Sequence, residues 1–235
     1  MQALFETIFD IVYLTSVITM GFLMVKGNRG SLYFRLFGIM AMILGIGDAF
    51  HLIPRAYALN TSGLAANVVP LGIGKFVTSV TMTIFYVILY ELYKMKSGAA
   101  KNKTMDVTIY SLAAIRIALC LLPGNQWLSA QPSLAYGIAR NIPFAIMGLL
   151  IISLTARYGK AGHPEYLKLS YAVALSFLFY IPVVLFSSTY PLVGMLMIPK
   201  TIAYVYIVWV GYKAFRERSL TDATKIGASV KAKSA

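Results

Sequence analysis

Three polar residues in the segment GDAFHLIPR, namely Asp48, His51 and Arg55, stand at i, i+3 and i+7. On a helix this spacing sets them along one face. A histidine next to a carboxylate can relay a proton or work as a general acid and base, and an arginine one turn further can bind an anion. Lys75 in PLGIGKFVTSVTMT shares its face with Thr78, Ser79 and Met82, and the small Gly72 and Gly74 leave room there for a neighbouring helix or a ligand. Arg116 stands alone in the apolar run SLAAIRIALCLLP, where a guanidinium needs an acid or a bound anion. Arg140 opens the segment ARNIPF, and Lys200 follows Pro199 in MLMIPKTIAY.

The elements that must position these groups are apolar. The chain has 235 residues, 59% of them hydrophobic and only 12% charged, against about 25% charged in soluble chains. Seven apolar blocks, 4–25, 32–53, 69–92, 107–123, 141–156, 169–188 and 193–215, reach or approach the roughly 17 to 25 residues a membrane helix needs. No polar/apolar alternation supports a barrel. The first block carries Glu6 and Asp10 where a secretory signal would be basic, so it is expected to remain as helix one. The fold expected is an all-α integral membrane protein, a seven-transmembrane-helix bundle over residues 1–218. A flexible cytoplasmic tail, rich in Ala, Lys, Ser and Thr, is expected over 219–235.

The net charge of +13 follows the same plan. Sixteen of the 21 Lys and Arg residues fall in the first, third and fifth connections, after the seventh block, or, as Arg35 and Lys213, at the adjoining block ends. By the positive-inside rule the N-terminus is outside and the C-terminus cytoplasmic, in a plasma or bacterial inner membrane. Basic loops also favour anionic membrane lipids, and no nucleic-acid motif competes with that reading.

The remaining five cations, Arg55, Lys75, Arg116, Arg140 and Lys200, map to the outer half, together with Glu6, Asp10, Asp48 and His51. Ionisable groups at such depth must pair, snorkel or line a wet cavity. The candidate ligand-binding set is therefore Asp48, His51, Arg55, Lys75, Arg116, Arg140 and Lys200. Five cations against three acids favour a small anionic or amphipathic guest. Arg140, Asn141 and Pro143 are expected to open helix five, whose first amides would offer an outward anion site. Pro54 is expected to end or bend helix two, and Pro182 and Pro199 to bend helices six and seven beside a cavity or hinge. Tyr57, Trp127 and Tyr136 in the outer connections suit a lid or interfacial anchors.

Several chemistries fall away. Two histidines, His51 and His163, leave no His-type zinc site of the kind seven-helix hydrolases carry. Cys120 has no partner for a disulfide, and there is no HExxH, phosphate-binding glycine loop or GxSxG elbow. The seven-helix layout is shared with rhodopsins, hormone-type receptors and small sugar transporters. The motifs of those families are missing, however: Leu196 stands where microbial rhodopsins have an Asp four residues before the lysine, and DRY, NPxxY and a PQ pair are absent. The sequence names no cofactor.

Three functions remain open. The first is a receptor or transporter with an outward polar pocket, a receptor needing a cytoplasmic protein partner on the basic surface. The second is a metal-independent intramembrane enzyme using His51 and Asp48 on a lipid-like substrate. The third is a structural or accessory membrane protein whose polar cluster is an ion-pair network.

Overall fold

The structure, a computed structural model, describes residues 2–99, 102–187 and 189–233. Seven long helices run α1 Gln2–Lys26, α2 Leu32–Asn60, α3 Val68–Ser97, α4 Lys103–Leu121, α5 Leu134–Lys160, α6 Pro164–Phe186 and α7 Met197–Lys233. All seven are long and apolar enough to cross a membrane. Among the described residues there is no strand. The fold is all-α, with helices of membrane-spanning length joined by short turns.

Each helix packs on its sequence neighbours, and α1 also meets α7, which closes the bundle, while α3 touches α5 across it. The centre is filled by large side chains, among them Phe37, Met40, Phe85, Tyr86, Met147 and Tyr204. The outward faces are apolar too: Ile11, Val12, Leu149, Leu178 and Ile202 are all more than half exposed. Lipid is the solvent that suits such an exterior.

Local chemistry sets the helix ends. Asn102 caps α4 by accepting from the Met105 amide at 3.1 Å, and Ser133 caps α5 by accepting from Tyr136 at 3.4 Å. Gly98, at φ +68°, turns the chain out of α3.

These ends depart from the sequence reading in four places. The Ser133 cap starts α5 seven residues before 141, so Arg140, Asn141 and Pro143 lie inside the helix rather than at its mouth. No free amides are left at Arg140 to bind an anion. Helix α2 continues through Pro54 to Asn60. Helix α7 begins only at Met197, after a 3-10 turn over Pro191–Leu196. Pro199 thus occupies its first turn, where the missing N–H costs nothing and no interior bend results. The same helix runs on to Lys233, past residue 219.

Close backbone approach brings the candidate residues together. A Cβ at Gly74 would collide with the Phe50 carbonyl and His51 Cα of α2, and one at Gly72 with the Trp127 carbonyl. The room these glycines leave is filled by backbone, not by a guest.

Candidate functional site

At the end of the bundle that carries the N-terminus, the polar residues hold the protein together. Arg55 Nε and Nη2 donate to Glu6 Oε2 at 3.1 and 2.9 Å, tying α2 to α1. Asn60 Nδ2 adds a bond to Thr7 Oγ1 at 2.9 Å. Arg140 donates to Asn125 Oδ1 at 2.8 Å and lies 4.2 Å from the centroid of the Trp127 ring. Asn125 and Trp127 in turn donate to the last carbonyls of α4, including Leu119 at 2.7 Å and Cys120 at 2.9 Å. Arg140 therefore staples the α4–α5 connection onto α5. Lys75 is exposed on α3. The hydroxyls that share its face are spent on backbone, Thr78 on the Gly47 carbonyl at 3.1 Å and Ser79 on that of Lys75 at 2.8 Å.

The proposed Asp48 and His51 pair is not assembled. Asp48 Oδ2 accepts from the Tyr13 hydroxyl at 2.6 Å, and His51 Nδ1 has no hydrogen-bond partner. Asp48 instead shares an electrostatic field with Lys200 of α7.

Deeper in the bundle, two cations are almost sealed. Lys200 is 6% exposed and Arg116 2%. Lys200 Nζ lies 4.8 Å from the centroid of the Tyr180 ring and 5.3 Å from that of Tyr204. The Arg116 guanidinium carbon lies 3.2 Å from the centroid of the Phe144 ring. Ring faces are electron-rich and attract cations. Arg116 Nε and Nη1 nevertheless have no hydrogen-bond partner, and among the described residues no ion pair includes Arg116.

Tyrosine hydroxyls pack near these cations. Ser176 donates to the Val173 carbonyl at 2.7 Å, so its lone pairs accept from Tyr86, 3.2 Å away. That leaves the Tyr86 oxygen to accept from Tyr204 at 3.4 Å. Tyr180 donates to Asn141 Oδ1 at 2.9 Å.

Neither a known protein family, nor a curated protein, nor a solved structure matches this chain. Function has to be read from the site.

Two cavities flank the buried cations. One, of about 260 Å³, lies among Ile73, Phe76, Cys120, Leu121, Trp127 and Leu128. The other, of about 180 Å³, is a groove between α5 and α6 floored by Phe144, Phe177 and Tyr180. Neither has Arg116 or Lys200 in its lining. Among the described residues no group of three or more His, Cys, Asp or Glu side chains is placed to hold a metal.

Of the seven candidates, Arg116 and Lys200 are buried in the interior, and Asp48 lies half-buried in the field of Lys200. His51 backs onto Gly74 of α3, Arg55 and Arg140 are engaged at the N-terminal end, and Lys75 faces outward. Sequence reasoning passed over Tyr86, Phe144, Ser176 and Tyr204. Only Tyr204 left a signal, one turn after Lys200 on the same helix face.

Proposed function

We propose that this membrane protein binds a small anion between Arg116 and Lys200, as a receptor or a carrier. Arg116, buried with its Nε and Nη1 lacking hydrogen-bond partners, supports the reading. Burying an ion costs several kcal/mol even after the protein relaxes around it, whereas a desolvated cation–π contact returns only about 2 kcal/mol. Phe144 leaves Arg116 short of compensation. Asp48 lies in the field of Lys200, whereas no ion pair among the described residues includes Arg116, the cation left for a monoanion. A carboxylate there would accept a charge-assisted hydrogen bond from the free Nε or Nη1 of Arg116.

The basic connections suit an N-terminus outside and a C-terminus in the cytoplasm, in a plasma or bacterial inner membrane. Anionic lipids would sit against those connections. A receptor would use that surface to dock a cytoplasmic protein, while a carrier would open the site alternately to both sides.

Native mass spectrometry of the purified protein tests the site. Wild type and the surface variant Lys213→Gln should retain a stoichiometric small anion. Arg116→Gln and Lys200→Gln should lose it by about tenfold or more in affinity. Equal retention in all four proteins would overturn the proposal. Flux of the identified anion in proteoliposomes then separates carrier from receptor.

A further inference from the structure

The groove between α5 and α6 and the buried cations share their walls. Phe144 and Tyr180 line the groove, and the same two rings lie against Arg116 and Lys200. The groove opens on the outward surface of the bundle, where Ile142, Ile181 and Leu185 are exposed. Its lining is almost wholly apolar, with Asn141 and the Tyr180 hydroxyl as its polar spot.

The two helices are also weakened at this level. Pro143 is inside α5, next to Phe144, and Pro182 is inside α6, two residues from Tyr180. Each proline removes one helix hydrogen bond, to the carbonyls of Ala139 and Leu178. Membrane helices tolerate such gaps and bend at them. The Tyr180 to Asn141 bond crosses from α6 to α5 at the same height.

We infer that the α5–α6 groove is a lateral entrance from the lipid phase, latched by Tyr180 and Asn141, for a single-chain amphipathic carboxylate. This rests on the anion site proposed above and names the class of its ligand. The charged head turns past Phe144 and Tyr180 to Arg116 and Lys200, and the alkyl tail stays in the groove. A ligand that arrives through lipid must be apolar over most of its length, and one that balances a guanidinium held in no ion pair among the described residues must carry a negative head. A fatty-acid-like carboxylate meets both conditions.

Radioligand binding to the purified protein in maltoside micelles tests this, with dodecanoate, acetate and dodecanol as probes. Dodecanoate should bind about tenfold or more tightly than acetate, because its tail gains apolar burial. Ala145→Phe and Ile181→Trp narrow the groove and should cut dodecanoate affinity by about tenfold while changing acetate binding by about twofold or less. Ile181 is 46% exposed, so its substitution remains informative if Ala145→Phe fails to fold. Arg116→Gln should abolish binding of both anions. Dodecanoate bound no more tightly than acetate, or bound unchanged by Ile181→Trp, would overturn the entrance and leave the anion site standing. Dodecanol bound as tightly as dodecanoate would also overturn it, by reducing the groove to unspecific adsorption. Wild-type protein that binds neither carboxylate would overturn both proposals.

Discussion

Arg116 of α4 rests its guanidinium 3.2 Å from the centroid of the Phe144 ring of α5, with Nε and Nη1 left without partners. This contact joins a charge the fold does not neutralise to the wall of a groove that faces outward. Removing the charge should therefore move stability and binding in opposite directions. Arg116→Met keeps most of the volume and lifts the desolvation cost, so the ligand-free protein should gain about 1 to 4 kcal/mol, read as a higher thermal midpoint in detergent. Anion retention should be lost in the same variant. A lower midpoint would mean that Arg116 has a stabilising partner in the free protein.

Phe144 should matter to Arg116 beyond its bulk. Phe144→Leu removes the ring face and should cost about 2 to 4 kcal/mol through lost cation–π attraction and core volume. Introduced into Arg116→Met, the same substitution should cost about 1 to 2 kcal/mol less. A double-mutant cycle on thermal or chemical unfolding measures that difference, and full additivity would mean that the contact is energetically idle.

The Glu6 and Arg55 pair should behave as a clamp between α1 and α2. Its side chains are 13% and 33% exposed, so Arg55→Gln should cost about 1 kcal/mol or less. Anion retention should stay at the wild-type level. Loss of the anion to the degree seen in Arg116→Gln would instead place Arg55 in the binding machinery.

Tyr13 and Asp48 should be coupled. Tyr13→Phe deletes the 2.6 Å donor to Asp48 Oδ2 and should cost about 1.5 to 3 kcal/mol, as for a hydrogen bond to a charged group. In an Asp48→Asn background the loss should shrink. Unfolding of the four proteins of this cycle gives the coupling directly.

Gly74 should tolerate no side chain. Its missing Cβ is what lets the Phe50 carbonyl and His51 Cα lie against α3. Gly74→Ala should cost about 1 to 3 kcal/mol by forcing the helices apart. A wild-type thermal midpoint would show that α2 and α3 do not meet here.

The seven helices were legible in the chain because each must supply enough consecutive apolar residues to span lipid, and that requirement is local. Their ends were less legible. The segment LAYGIAR before Asn141 reads as a connection by composition, yet it continues α5, because the Ser133 cap and not the hydropathy sets the start. The interior cations could be singled out for the same local reason: Arg116 and Lys200 are charges in apolar runs, where every charge needs an explanation.

Which charges meet was decided by tertiary structure alone. Arg55 and Glu6 are 49 residues apart, and Tyr13 and Asp48 are 35 apart. Their contact depends on how α1 and α2 are rotated about their own axes, which spacing along either helix does not specify. The same holds for Arg116 against Phe144 and for Tyr180 against Asn141. A helix face is a local property of sequence; the face it meets depends on the packing of all seven, because interlocking side chains across the bundle choose each rotation together.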